Sequence, residues 1–273
     1  MTALFRAPGR ILAFAVVLIL FILPPLWLLL SALKPQAEIF QWPPSLLPQT
    51  FTLENFEKTV SRANFGNYFL NSAIVSVSSA LLSVTMSVMA GYALAKFRFR
   101  GDTIIFLVIM SAVMVPLQIV LIPVFLVLRD LGLLNTLWGL IIAPAATPTG
   151  VFLMRQYITG IPDSLLEAAR IEGTPEWRIL LRIIVPLCLP AIGTLLAFNL
   201  VWRWNDYLWP FLIVAKQEQW TVQLAIANSI GRFSINWPRL LSMTVLSILP
   251  MLAIFIALQK TLMNGLMAGA SKE

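Results

Sequence analysis

Two groups of polar residues interrupt a chain that is otherwise almost continuously apolar, and both have spacings that could do chemical or mechanical work. The first is Glu167-Ala168-Ala169-Arg170-Ile171-Glu172-Gly173, followed by Ile184-Val185-Pro186 and Pro190. A carboxylate such as Glu167 offers a charge-assisted contact to a basic residue of a partner. The small Ala168-Ala169 surface admits close approach of another protein. The second group is Asn199, Arg203, Asn205 and Asp206, interleaved with Trp202, Trp204 and Trp209. Arg203 and Asp206 lie three apart, one helical turn, where they could neutralise each other. Charges within a bilayer are costly and mark a cavity, an ion pair or an interface. Amides and indoles together suit a sugar, whose hydroxyls want amide partners and whose ring faces are weakly apolar. The same residues are also what an external aromatic belt and a polar helix end would contain.

The surrounding composition limits the chemistry. Of 273 residues 59% are hydrophobic and 11% charged, and the mean hydropathy is +0.86. Soluble domains carry about 25% charged residues, so lipid must cover most of this surface. Histidine is absent and Cys188 is the one cysteine. That excludes a disulfide within the chain, removes the usual ligands of zinc and copper, and removes the commonest general base; neither a metal site nor catalysis is expected. The net charge of +7 comes from basic residues scattered at the ends of apolar segments, a pattern of membrane orientation rather than of nucleic-acid binding. No Gly-rich loop followed by Lys and Ser or Thr occurs, so the chain has no nucleotide site of its own.

A spanning helix needs about 20 mostly apolar residues. Six segments are expected to cross: 11–33, 70–95, 103–128, 136–158, 190–212 and 241–259. Arg6 and Arg10 precede the first as in a signal peptide, but its apolar run exceeds an h-region of about 7–15 residues. With the N-terminus inside, the cytoplasmic parts hold Arg6, Arg10, Lys96, Arg98, Arg100, Arg155, Arg170, Arg178, Arg182, Lys260 and Lys272. The external parts hold the smaller set Lys34, Lys58, Arg62, Arg129, Lys216, Arg232 and Arg239. The positive-inside rule then places both termini in the cytoplasm. The chain is expected to be one transmembrane domain over residues 1–273, with an external segment 34–67 and a cytoplasmic loop 159–189. The external segment is proline-rich at its start, and Ser45 to Lys58 is expected to hold a short amphipathic helix. Pro24, Pro25, Pro116, Pro123, Pro144, Pro148, Pro210 and Pro250 fall within or beside the spans. They either shape a curved cavity or are tolerated, as prolines in packed membrane helices are.

The cytoplasmic loop is long enough for two short helices. Pro162 suits an early helical position, and Asp163 or Ser164 suits the N-terminal cap. Leu165, Leu166, Ala168, Ala169 and Ile171 supply an apolar side, and Gly173 a stop. Thr174 and Pro175 begin a second helix with Trp177, Leu180, Leu181 and Ile184 on its apolar face. A short helix of this kind is a rigid coupler to a partner protein. It could also rest on lipid, which Glu167, Glu172 and Glu176 disfavour because anionic headgroups repel them.

The stretch from Glu167 to Pro190 resembles the signature cytoplasmic loop of permease subunits in ATP-driven importers. That loop reads Glu-Ala-Ala, three residues, Gly, then an apolar stretch ending in a proline pair. Glu172 stands where the family usually has Asp, and Thr174 where it has Ala. Leu33 to Pro35, Gly91-Tyr92-Ala93-Leu94-Ala95, Trp204-Asn205-Asp206-Tyr207 and the tail Gly265 to Lys272 extend the resemblance to sugar-importer permeases of the maltose-transporter type. Within that type the chain is similar to the second, six-span subunit. The resemblance implies an all-α integral membrane protein with the type I ABC importer transmembrane fold and a cytoplasmic coupling helix. It implies a bacterial inner-membrane complex with a second, different permease subunit, two cytoplasmic ATPase subunits that carry ATP and Mg, and an external substrate-binding protein. Glu167, Ala168, Ala169, Arg170, Glu172 and Gly173 would couple to the ATPase. Asn199, Arg203, Asn205 and Asp206 would face the translocation path or a subunit interface. A sugar or oligosaccharide is the expected cargo. The alternatives are a glycerol-phosphodiester or sugar phosphate, a stand-alone ion-coupled carrier, or a membrane scaffold without cargo. On the second span Tyr68, Asn71, Ser72, Ser76, Ser78 and Ser79 form a further polar surface that ordinary helix packing also explains.

Overall fold

The structure is a computed structural model and describes residues 8–231 and 234–270. Arg6, Arg232 and Lys272, which contribute to the orientation reading, lie outside these residues. In chain order the helices are α1 (Pro8–Ala32), α2 (Gln36–Ile39), α3 (Glu54–Arg62), α4 (Phe65–Lys96), α5 (Asp102–Ser111), α6 (Leu117–Asp130), α7 (Leu137–Ile142), α8 (Pro148–Thr159) and α9 (Asp163–Ile171). They continue as α10 (Glu176–Ile179), α11 (Val185–Leu187), α12 (Leu189–Trp204), α13 (Leu208–Ile213), α14 (Val222–Ala227) and α15 (Trp237–Ala270). Among the described residues the only extended pairing is a bridge between Ile230 and Ile235.

Among the described residues, three helices are long and apolar enough to cross a membrane: Ile11–Ala32, Phe65–Lys96 and Trp237–Ala257. The expected span 103–128 is broken by a bend of 107° between Asp102–Met114 and Leu117–Asp130. Pro116 is the cause. It lacks an N–H and pushes the residue before it out of the helical region, and Val115 is extended at φ −79°, ψ 119°. A second bend, of 80°, separates Glu176–Leu187 from Leu189–Trp204, where Pro186 and Pro190 flank Cys188. Counting each bent pair as one span makes five. The expected span 136–158 is two short helices, α7 and α8, neither near the length of about 20 residues that crossing needs. The expected span 190–212 likewise stops at Trp204 and resumes at Leu208. The architecture is an all-α, multi-span membrane fold with several broken helices.

Two compact units divide the chain: residues 1–67 with 225–250, and residues 68–224 with 251–273. In the first, α1 is apolar on every side and exposed, with Leu12 and Phe21 among its bare residues, as a lipid-facing helix should be. Its C-terminal end is buried: Ala32 packs with Leu241 and Val245, flanked by Leu28, Ile39 and Phe56. The Asn55 carboxamide donates to the carbonyls of Ala32 at 2.9 Å and Lys34 at 2.8 Å. Glu38 accepts from the Gln49 N–H at 2.8 Å, the Thr50 N–H and the Ser45 hydroxyl. The Gln49 N–H does most to hold its carboxyl below the usual carboxylate range. These bonds fix 45–50 as irregular chain, so the helix expected from Ser45 begins instead at Glu54.

In the second unit α4 presents Ser72, Ser76, Ser79, Ser83 and Ser87, all buried, and then Gly91, on one helical face. Small residues allow close helix approach in membranes. Ser83 meets the Thr147 hydroxyl at 2.8 Å. At Gly91 a Cβ would stand 2.7 Å from the Met154 Cβ and 2.9 Å from the Arg155 nitrogen, so α8 packs on the bare backbone. Near its start, Tyr68 accepts from Gln217, Asn71 donates to the carbonyls of Glu218 and Trp220, and Ser72 accepts from the Val222 N–H at 2.8 Å. The polar surface read on this helix is packing surface.

Candidate functional site

The first polar group forms α9. Pro162 precedes it with φ −59°, ψ 134°, and no side chain caps its first turn. Asp163, expected to cap, is drawn to Lys96 at 2.6 Å. The other end closes as a Schellman turn: the Thr174 N–H bonds the Ala169 carbonyl at 3.0 Å and the Gly173 N–H bonds Arg170 at 2.9 Å. Gly173 adopts φ +74°, a region that strains a residue with a Cβ.

The apolar residues of α9 divide between two faces. Leu166 and Ala169 are buried in a core with Val84, Val88, Tyr92, Met154, Ile158, Ile179 and Ile184. Leu165, Ala168 and Ile171, three apart in turn, are exposed on the other face together with Glu167, Arg170 and Glu172; Ile171 is 87% exposed. Trp177 and Leu181, expected on an apolar packing face, are exposed as well, while Ile179 and Ile184 fill the core. Between α10 and α11, residues Leu180–Ile184 widen into a π-helical turn, next to Pro186, which has no N–H to give back to the preceding turn.

A compact set of bonds ties α9 to the C-terminal end of α4. One Glu176 oxygen accepts from the Arg170 Nε at 2.7 Å and the other from the Tyr92 hydroxyl at 2.6 Å. The Arg170 guanidinium stands 5.7 Å from the Phe97 ring centroid, and Phe97 meets Tyr92 edge-on. Lys96, its side chain 4% exposed, donates to the Ile161 carbonyl as well as to Asp163. The Lys96 bond holds the Asp163 carboxyl below the usual range.

The second polar group lies where α12 ends. Asn199 is buried and spends its amide on the Leu195 carbonyl of its own helix at 2.9 Å. Arg203 and Asp206 are 3.7 Å apart, their side chains 9% and 12% exposed. Arg203 Nη2 donates to the Pro144 carbonyl at 3.0 Å, in the break between α7 and α8 where Pro148 offers no N–H. Asp206 accepts from the Trp209 N–H at 3.3 Å. Asn205 is exposed; it donates to the Val201 carbonyl and accepts from Gln223 at 3.4 Å. Arg203, Asp206, Ser72, Val75, Leu140, Trp209, Pro210 and Thr221 enclose a cavity of about 10 Å³. That is room for one water and far short of the several hundred Å³ of a small-molecule pocket.

Residues 83–266 match the family described as the binding-protein-dependent transport system inner membrane component. The chain belongs to that family. The arabinooligosaccharide transport permease AraQ of Bacillus subtilis is 31% identical over 96% of this chain and 94% of the relative. The sn-glycerol-3-phosphate transport permease UgpE of Salmonella typhi is 31% identical over 90% of each chain. Among solved structures, a bacterial ABC transporter that imports the acidic polysaccharide alginate aligns with a TM-score of 0.82 at 26% identity, covering 94% of this chain and 98% of that one.

The permease therefore carries its two polar groups at separate places. Tyr92 and Lys96 meet the α9 group, whereas Ser72 and Val75 line the Arg203 cavity. Tyr92 lies 17 positions after Val75 on α4, so at a rise of about 1.5 Å per residue the two groups stand roughly 25 Å apart along that helix. Inspection of the sequence misses Tyr92, Lys96 and Glu176 as the residues that hold α9. Lys96 draws notice there only as charge bias, and Tyr92 only as part of a recurrent motif. Pro144 as the partner of Arg203 has no sequence signal, since any main-chain carbonyl could have served.

Proposed function

We propose that the permease imports a sugar or oligosaccharide by coupling closure of two cytoplasmic ATPase subunits to alternating access of the membrane domain. It would do so beside a second, different permease subunit and under an external substrate-binding protein. In this reading the chain has six spans and both termini in the cytoplasm, the type I importer arrangement with α9 as its coupling helix. It resembles the second subunit of the maltose-transporter type. ATP and Mg belong to the partner subunits.

The observation that carries the reading is the division of α9. One face is anchored in the core by Leu166 and Ala169, while the other leaves Leu165, Ala168 and Ile171 bare beside Glu167 and Glu172. Bare apolar residues next to charges, on a helix closed at its C-terminal end by its own backbone bonds, make a surface for a cytoplasmic protein. Relatives that carry arabinooligosaccharides and alginate favour a saccharide. One relative carries sn-glycerol-3-phosphate, which keeps a phosphorylated cargo as the second reading. The cation that would meet a phosphate, Arg203, is already committed to Asp206 and Pro144, and this weighs against a phosphorylated cargo. Asn199, Arg203, Asn205 and Asp206 are proposed to border the path in a conformation more open than this one.

Glu167→Ala tests the docking surface. If the carboxylate is buried against a basic residue of the ATPase, its loss costs about 2–5 kcal/mol of association, while the permease still inserts. Co-purification of the ATPase at wild-type yield, with normal uptake, would remove α9 from the interface. Cargo class is tested separately, by which saccharide the cognate binding protein retains.

A further inference from the structure

We infer that Glu176 is a positioning residue that makes α9 and α4 move as one body, so that a displacement of α9 reaches the Ser72 end of α4. The inference rests on the reading of α9 as the docking helix. Glu176 is half-buried between the two elements and divides its two oxygens between them, Arg170 of α9 on one and Tyr92 of α4 on the other. A carboxylate with one bond to each side resists shear in a way that apolar contact alone does not, because both bonds are charge-assisted and directional. The neighbouring contacts act in the same sense: Phe97 meets both Tyr92 and Arg170, and Lys96 holds both Ile161 and Asp163 ahead of the first turn.

What makes this a lever is α4 itself. It is a single helix of 32 residues without an internal proline, so its hydrogen-bond ladder is unbroken from Phe65 to Lys96. At one end it holds Glu176; roughly 25 Å away Ser72 and Val75 line the cavity that contains Arg203, Asp206 and Thr221. There the Arg203 Nε and the Thr221 hydroxyl are buried without a hydrogen-bond partner. The other elements of this unit do not carry the signal as directly, since α5–α6, α7–α8 and α12–α13 are each interrupted.

The test uses the intact complex of this permease with its partner permease, ATPase and binding protein in liposomes. A Cys188→Ala background carries Ser72→Cys, and the labelling rate of that thiol by methanethiosulfonate ethylammonium is measured before and after vanadate trapping of ATP. The rate is expected to change on trapping. Tyr92→Phe, which removes one hydroxyl and leaves Lys96 and Asp163 in place, is expected to keep the ATPase bound and hydrolysing while the trapping-dependent change at position 72 is lost. Loss of a bond to a charged acceptor is enough to shift a two-state equilibrium by about tenfold or more. Glu176→Gln serves as the second variant and is expected to act in the same direction. An unchanged response in both variants overturns the inference, as does a wild-type rate that ignores trapping. Loss of the ATPase from Tyr92→Phe also overturns it, by making the contact one of docking or folding. Failure of the underlying reading shows differently: Ala168→Arg on the exposed face would then leave the ATPase bound.

Discussion

Replacing Arg203 with methionine removes two interactions at once, and their separate sizes can be told apart. The guanidinium is 3.7 Å from the Asp206 carboxylate, both side chains are about nine-tenths buried, and its Nη2 also satisfies the Pro144 carbonyl. Arg203→Met therefore strands a buried carboxylate, which costs about 3–5 kcal/mol, and leaves a carbonyl without a donor, about 1–3 kcal/mol more. Arg203→Met with Asp206→Leu strands no charge, so only the carbonyl term of about 1–3 kcal/mol remains. Thermal unfolding of the purified complex should rank wild type first, the double variant second and Arg203→Met last. Equal losses in the two variants would show that the pair contributes nothing, and a single variant as stable as wild type would refute the burial argument. Uptake by the double variant is a separate readout. If these residues border the path it is impaired in complexes that still assemble and hydrolyse ATP, and normal uptake leaves them a packing role at the break between α7 and α8.

Three further perturbations bear on α9 and its support. Gly173→Val places a β-branched residue at φ +74°, costs about 1–2 kcal/mol or more, and should lower uptake per inserted complex more than it lowers insertion; equal uptake per complex would deny the Schellman turn a role. Gly91→Ala puts a methyl group 2.7 Å from the Met154 Cβ and 2.9 Å from the Arg155 backbone, an overpacking of about 1–3 kcal/mol that a thermal melt should show as a lower midpoint. The Asp163 carboxyl is held below its ordinary value by the Lys96 hydrogen bond, so its contribution is present above that value, near pH 4, and is lost as pH falls below it. Hydrogen exchange of Asp163–Ile171 should accelerate across that acid range, and Asp163→Asn should abolish the dependence.

The existence of the membrane helices was legible in the chain because bilayer length and apolar composition act locally. Residues 11–33, 70–95 and 241–259 needed nothing beyond their own hydropathy, and they are the unbroken helices. Segments 103–128, 136–158 and 190–212 were less legible. A window average registers Pro116 as one residue among twenty, although the chain leaves the helix there, whereas Pro24, Pro25, Pro123 and Pro250 sit inside continuous helices; which interruptions break a helix is set by the packing around them. The loop helix was readable to within a residue, since Pro162 and Gly173 act through local backbone geometry.

Which face of that helix is buried depended on what lies across from it. Leu165 and Leu166 are chemically the same residue one position apart, yet the first is exposed and the second fills the core. The core is supplied by residues of α4, α8, α10 and α12, on both sides of α9 in the chain. The partners of the charges were hidden for the same reason. Arg203 and Asp206 pair at a spacing visible in the chain, but the Pro144 carbonyl, the Tyr92 hydroxyl and the Lys96 ammonium reach their partners across 59, 84 and 67 residues. Composition and local spacing, by themselves, determined that this chain lives in a membrane and carries a charged loop helix between its apolar segments. Only the tertiary structure decided which side chains hold that helix and which remain free to meet another protein, because burial and hydrogen bonding are shared between segments that the sequence keeps apart.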